Sequence, residues 1–397
     1  MRLGSYSVRV VAVIALGALV TVGCGQRNHP ASAAKGTTFT EPNATSCGIS
    51  VCDSTPPTST APTTGPLSSA PPVVRVAGNR LVDGAGKPLQ LRGVNRSGSE
   101  YACIQGWGFF DGPSDDASIV AMASWATNVV RLPLNEDCWL GINGNSMNAP
   151  YMGAVYRATV QQYVARLHAH GLAVILDLQV AEPATTPTGS TLEPMPDADH
   201  APAFWSSVAG MFARDQSVVF DLFNEPHDVS WSCWRDGCPW KSSATGAPYQ
   251  AAGMQSLVSA VRSTGATNTI ILGGLDYSND MTGWLANAPT DPAGQLAASF
   301  HLYNFGSCNA AECWVTQVAP TAALVPVVTG ELGENDCAAG FVNTYMAWAD
   351  AHNISYLGWA WDIFDCSSGP ALISNYDGTA TAFGKGMRDH YLSLAGR

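Results

Sequence analysis

The chain has 397 residues, 46% hydrophobic and 13% charged, with 31 acidic against 19 basic side chains and a formal net charge of −12. Nucleic-acid binders present a basic face that releases counterions from phosphate, so this charge excludes that class. Abundant apolar residues and 9% aromatics exclude wholesale disorder. Ordinary soluble domains carry about 25% charged residues. The lower fraction here suits an extracellular surface built on Ser, Thr, Asn and Gln.

Residues 1–9 hold Arg2 and Arg9 and no acid. An apolar run of about 14 residues follows, short of the ~20 that a membrane-spanning helix needs, and predicts a secretory signal over 1–23. Its end, Thr21-Val22-Gly23-Cys24, resembles a bacterial lipobox, with Thr21 where that motif usually has Leu. The resemblance implies lipidation of Cys24 and a place outside the cell or in its envelope, anchored to the outer face of the plasma membrane. Membrane contact is expected through that anchor alone. The alternative is an ordinary signal peptide with a chance cysteine. Residues 24–72 are dense in Thr, Ser, Pro, Ala and Gly, with Phe39 the only aromatic. They cannot bury enough apolar surface to offset the entropy of ordering, which predicts a disordered linker. Cys47 and Cys52 within it can close a small loop.

The compact part is residues 73–397, which opens with hairpin-like segments at 74–76 and 80–82. Short, β-rich apolar runs then occur at 89–95, 128–134, 173–179, 218–225, 269–276, 298–305, 325–333 and 356–362. Helical patterns lie between or after them at 117–126, 155–170, 203–215, 249–264, 341–352 and 381–394. In the clearest, Val160, Tyr163, Val164 and Leu167 recur at spacings of three and four before a stop at Gly171. Buried-type strands alternating with helices point to an α/β fold with a parallel sheet. Eight of them in a domain of this size predict a closed (β/α)₈ TIM barrel. No glycine-rich phosphate fingerprint follows the first strand, which argues against a dinucleotide-binding fold.

Barrel chemistry sits at the C-terminal strand ends, where the βα loops surround one mouth. Those ends supply Arg131, Gln179, Asn224, Glu225, His301, Tyr303, Glu331 and Trp361. The segment VVFDLFNEP, ending at Pro226, resembles the Asn-Glu-Pro signature that closes strand four in the retaining (β/α)₈ glycoside hydrolases. VVTGELG, around Glu331, resembles their strand-seven nucleophile segment. His301-Leu302-Tyr303 resembles the strand-six His-x-Tyr of glycoside hydrolase family 5, the cellulase and mannanase family. Arg131 in NVVRLPL and Trp361 in GWAWD complete that pattern, and RGVNRSGSEYACIQGWGFFDGP has the character of bacterial members.

Hydrolysing a glycosidic bond takes proton donation to a poor leaving group and stabilisation of an oxocarbenium-like transition state, which two carboxyl groups supply. Glu331 is assigned as nucleophile and Glu225 as acid/base, with Glu225 expected to be kept protonated by repulsion from ionised Glu331. Asn224 is expected at the sugar 2-hydroxyl, and Arg131 and Tyr303 on the nucleophile. His301 is assigned to the sugar or to Glu225, and Trp361 to an apolar platform for the sugar ring. The bland readings are an Asn-Glu-Pro triplet that only ends a strand, and rim residues satisfied among themselves. Glu182 and Glu334 are rival carboxylates; Asp177, Asp221, Asp276 and Asp362 are expected to hydrogen-bond within the barrel. Family members usually have His after strand three, where this chain has Gln179, a change that leaves the carboxylates untouched and substrate preference open. No His-x-His or His-Glu-x-x-His run and no Gly-x-Ser-x-Gly elbow occurs, and the chemistry needs no metal or organic cofactor.

Cys103 and Cys138 follow neighbouring strands one and two, as Cys337 and Cys366 follow seven and eight; Cys233–Cys238 and Cys308–Cys313 each bound a short loop. All fall on the βα-loop side and are read as disulfides, free buried thiols being the alternative. Trp107, Trp139, Trp231, Trp234, Trp240 and Trp314 are candidates for stacking on sugars, some of them core instead. The whole reads as an exported retaining β-glycosidase, with an endo-acting β-1,4-glucanase implied by the resemblance. The partner expected is a β-linked polysaccharide or oligosaccharide, and the chain is expected to act as a monomer. The alternatives are a β-mannanase, an exo-acting β-glucanase, or a non-catalytic carbohydrate-binding barrel.

Overall fold

The computed structural model describes residues 70–186, 189–364 and 369–395. The expected signal, Cys24, the linker with Cys47 and Cys52, and Cys366 lie outside them. Eight parallel strands close a barrel: β1 (Arg92–Asn95), β2 (Val129–Asn135), β3 (Ala173–Val180), β4 (Val218–Asp221), β5 (Ile270–Gly273), β6 (Leu296–Tyr303), β7 (Val327–Gly333) and β8 (Ser355–Gly358). Each pairs with its neighbour in sequence, and β8 pairs with β1. Continuous apolar runs form these strands because helices cover one face and the barrel interior the other. Every residue of β2, β3 and β7 is buried accordingly.

Side chains two apart share a strand face, so the interior can be read in layers. At the N-terminal end Val129, Ile175, Val219, Ile271 and Val328 pack with Leu81 and Leu91. Leu81 belongs to a small antiparallel pair, Arg75–Ala77 with Arg80–Val82, that plugs the barrel floor. Two residues further along three of these strands stand Arg131, Asp177 and Asp221, all fully buried. The interior thus turns from apolar to charged as it nears the mouth.

Six longer helices follow the expected pattern: α1 (Asp116–Ala123), α2 (Ala154–Ala169), α3 (Ala201–Phe212), α4 (Met254–Ser263), α5 (Gly340–Ala351) and α6 (Ala382–Leu394). In α2 the buried face is Tyr156, Val160, Tyr163, Val164 and Leu167. One element differs. The helix expected over 249–264 begins only at Met254, because Pro248–Ala251 instead pairs antiparallel with Cys238–Lys241. Gly253 explains the late start: its Cα lies against the backbone of Arg235, Asp236 and Gly237 too closely for any Cβ.

Disulfides join Cys103–Cys138, Cys233–Cys238 and Cys308–Cys313, and Cys337 is also disulfide-bonded. All lie in segments that follow the C-terminal strand ends. Replacing Leu81 with Ala should remove the floor plug while leaving the mouth intact. The expected loss is about 2–4 kcal/mol in urea unfolding, the range for buried Leu→Ala.

Candidate active site

Arg131 projects from the middle of β2 with no solvent exposure. Its Nε donates to Asp221 Oδ2 at 3.0 Å, and Nη1 donates to Asn95 Oδ1 at 3.1 Å and Glu331 Oε1 at 2.9 Å. Nη2 donates to Asn224 Oδ1 at 2.9 Å and lies 3.1 Å from Asp177 Oδ1. Isolated in an apolar core this charge would be prohibitive, but every arm of the guanidinium meets oxygen. Burial opposes its charge; Asp177, Asp221 and Glu331 outweigh that and hold its pKa above the ordinary value. Burial also raises Asp177 well above the carboxylate range and Asp221 to about 7, despite the guanidinium between them.

Glu331 rises from β7 where the pairing with β6 shifts register between Phe300 and His301. Its second oxygen accepts the Tyr303 hydroxyl at 2.5 Å. Burial, and then the charge of Glu331, keep that phenol far above its usual pKa, so it remains a donor. The carboxylate therefore receives Arg131 on one oxygen and Tyr303 on the other.

Glu225 is placed differently. It lies four residues past the end of β4, and about a fifth of its side chain is open to the cleft. Its Oε1 is 2.9 Å from His301 Nδ1. Burial lowers the His301 pKa to about 4, so the ring is neutral at ordinary pH. Glu225 is raised to about 7, chiefly by burial, with Arg131 and His227 pulling it partly back. The repulsion by Glu331 expected to protonate it is not the leading cause; loss of water is. One donor atom each from Glu225, His301 and Glu331 lie within 4.8 Å of one another.

Gln179, Asn224 and Glu225 line a cleft of about 230 Å³ together with Leu192, His227 and Tyr277. The last two escaped the sequence reading. Tyr277 stacks on His227 with centroids 4.3 Å apart, carried by a turn in which Asp276, Tyr277 and Ser278 all have positive φ. Three non-glycine residues in that region are strained by roughly 1–2 kcal/mol each. The turn is held by the Ser278 hydroxyl on Asn224 O at 2.9 Å and the Tyr277 amide on Pro226 O at 3.1 Å. Gly273 and Gly274 precede the turn and pack against it, but no glycine occupies its left-handed positions, so its course left no local signal.

Trp361 is a correction. Its indole is fully buried, edge-on to Trp125 at 4.8 Å, and has no face to offer a sugar. The half-buried indole at this strand end is Trp359, in the same motif, whose amide donates to Leu332 O beside Glu331. Three stacking candidates are likewise core residues: Trp139, Trp234 and Trp314 are buried, with their ring N–H groups on Ser207, Gly273 and Cys308. Trp107 is exposed, and Trp231 and Trp240 are half-buried. Both rival carboxylates have structural work. Glu182 accepts the amides of Gly189, Ser190 and Thr191, and Glu334 accepts Val342 N at 2.9 Å near the start of α5. Asp276 accepts the Ser307 hydroxyl, and Asp362 accepts those of Ser97 and Tyr376.

Two carboxyl groups facing each other in the mouth of a (β/α)₈ barrel, one bound by a guanidinium and a phenol and the other raised toward its neutral form by burial, are the arrangement of a glycoside hydrolase. The chain belongs to the cellulase family, glycosyl hydrolase family 5, whose family model matches residues 82–365. Endoglucanase E-5 of Thermobifida fusca is 28% identical over 180 residues, 45% of this chain and 33% of that protein. A mannan endo-1,4-β-mannosidase of Streptomyces lividans is 22% identical over 310 residues, 76% of this chain and 69% of its own length. The chain thus spans between a third and about two thirds of these relatives. Among solved structures, a β-glucanase of Saccharophagus degradans in complex with cellotetraose superposes with a TM-score of 0.61 at 20% identity, covering 83% of this chain and 95% of that one.

Arg131→Lys keeps the charge and loses the planar fork that reaches Asp221, Glu331 and Asn224 together. A stability loss of about 3 kcal/mol is expected in chemical denaturation, as for breaking a buried ionic network.

Proposed function

We propose that the protein is a retaining endo-β-1,4-glucanase, with Glu331 as nucleophile and Glu225 as acid/base. The observation that carries this reading is the approach of the two carboxyl groups to within 4.8 Å. Retaining glycosidases separate them by about 5–5.5 Å, whereas inverting ones leave about 6.5–9.5 Å for a water. Glu331 attacks the anomeric carbon as Glu225 protonates the departing glycosidic oxygen, giving a covalent glycosyl ester and a free alcohol end. Water then attacks the same carbon, Glu225 takes its proton, and the ester bond to Glu331 breaks.

Arg131 and Tyr303 fix Glu331 so that one carboxylate orientation faces the sugar. Neutral His301 meets Glu225 without adding a positive charge that would ionise it too early. Arg131 occupies the Asn224 oxygen, so the Asn224 amide nitrogen is the part left to donate to the 2-hydroxyl. Linear β-1,4-glucan as substrate is supported by the endoglucanase relatives and by the cellotetraose bound to the Saccharophagus degradans neighbour. The Streptomyces lividans relative, matched over more of the chain, keeps β-mannan as the second reading. A binding barrel has no need for two carboxyl groups in opposed electrostatic settings.

Glu331→Gln should reduce kcat on an aryl β-cellobioside to below about a thousandth of wild type. Wild-type hydrolysis followed by proton NMR should release the β-anomer first; initial α-anomer would sink the retaining assignment. The pH profile follows from Glu225. Its acid form is needed, and with a pKa raised to about 7 that form is full below pH 7 and lost above it. kcat/KM should therefore fall about tenfold per pH unit on the alkaline side. A plateau extending past pH 9 would remove Glu225 as the acid.

A further inference from the structure

A second cluster of buried carboxylates lies apart from the catalytic pair, in the segments that follow β2 and β3. Glu136 is the first residue after β2, and Asp197 and His200 close the long segment between β3 and α3. Glu136 and Asp197 have no solvent exposure, and Asp137 has almost none. No side-chain nitrogen or hydroxyl donates to either Glu136 oxygen or to Asp197 Oδ2; the two carboxyl groups face each other, with the Glu182 backbone beside Glu136. Among the described residues, the ion-pair partner of both Glu136 and Asp197 is His200 alone; no lysine or arginine reaches them. Asp137 is held by the Asn143 amide, which brings no charge. Burying facing carboxyl groups with so few donors is costly, and a shared proton or a bound cation offsets that cost.

The spacing says what fits. His200 Nδ1 stands 3.5 Å from Asp197 Oδ1 and 3.9 Å from Glu136 Oε1, and one donor atom from each of the three lies within 4.8 Å of the others. Ligands about 2.1 Å from a zinc ion sit about 3.4 Å apart at tetrahedral corners; the two distances from His200 lie near that value, and the Glu136 and Asp197 oxygens, within 4.8 Å of each other, draw together to close the site. The Glu182 carbonyl oxygen, 3.4 Å from His200 Nδ1, stands at the distance of a fourth corner. The His200 side chain is 23% exposed, which lets Nε2–H meet solvent while Nδ1 faces the carboxylates. An imidazole together with carboxylates suits a borderline divalent cation better than calcium or magnesium, which prefer oxygen alone.

We infer that Glu136, Asp197 and His200 form a structural binding site for a divalent cation, with Zn²⁺ the best match. The ion joins two segments at the mouth, the one that follows β2 and the one that follows β3. Asp197 and Ala198 also pair with the Pro248–Ala251 strand, through an antiparallel bridge to Ala251 and an amide bond from Ala198 to Gln250 O at 2.8 Å. The segment that ends at His200 carries Leu192 on the cleft wall, so the ion fixes that wall from behind without touching the reacting sugar.

The test uses the full chain, stripped with a chelator and then offered one equivalent of Zn²⁺. After desalting, elemental analysis should find about one zinc per chain, and Tm should rise by several degrees over the stripped protein. His200→Gln and Asp197→Asn should each weaken zinc binding at least tenfold and abolish the Tm shift. Glu331→Gln should retain the zinc, which separates this site from the catalytic cluster. Should Asp197→Asn fail to fold, His200→Gln, changed at a partly exposed ring, carries the same comparison. Retention below a tenth of an ion per wild-type chain overturns the inference and leaves a proton shared between Glu136 and Asp197. Equal retention in wild type and His200→Gln overturns it as well.

Discussion

The guanidinium of Arg131 is the fixed point on which the mouth of this barrel is built. A single positive charge with no access to water gathers oxygen from β1, β3, β4, β7 and the turn after β4. Only Arg has a planar fork wide enough to reach that many strands at once. Its position follows from strand alternation: two residues above the apolar floor, on the same face as Val129, lies the first layer where charge is admitted. Glu331 and Asn224 are therefore oriented by the fold itself, before any sugar arrives. Such preorganisation is where much of an enzyme's rate advantage originates, since no reorganisation remains for the moment of reaction.

From that point the two glutamates diverge. Glu331 has a cation and a phenol committed to its oxygens. Glu225 has an uncharged imidazole and little water, which favours the protonated form. Chemically identical groups less than 5 Å apart thus sit in different settings, one between a cation and a phenol and the other beside a neutral ring. The neutrality of His301 matters to this division: a protonated ring would draw the proton off Glu225.

The barrel was legible because each strand is a continuous apolar run, buried on both faces, that ends in polar residues at the mouth. Glu225, Glu331, Asn224, His301 and Tyr303 stand at or just past such ends and Arg131 inside β2, where periodicity and chain order bring them toward one mouth. Beyond the strand ends that logic fails. In GWAWD the chain has already left β8 at Gly358, so alternation cannot tell which indole turns inward, and Trp361 proved to be core while Trp359 is half-buried. The hairpin at 238–251 was hidden because its pairing depends on backbone contact at Gly253, a tertiary constraint that leaves no local pattern. The left-handed turn bearing Tyr277 is held by bonds from Ser278 and Tyr277 to residues about fifty positions earlier. The cause of the raised Glu225 pKa was also out of reach, since charge can be counted in a sequence and loss of water cannot.

The disulfides divide the molecule into two mechanical regimes. Two of them close loops of only five residues, which in the chain-entropy picture contributes about 2 kcal/mol each, against about 4 kcal/mol for the 35-residue span of Cys103–Cys138. Among the described residues, none of these three bridges crosses the barrel floor or ties one face of the cylinder to the opposite one. The cross-links of these three bridges are thus confined to the rim, while strand pairing closes the cylinder below it. Reduction should therefore act first on the mouth and only through it on the barrel beneath.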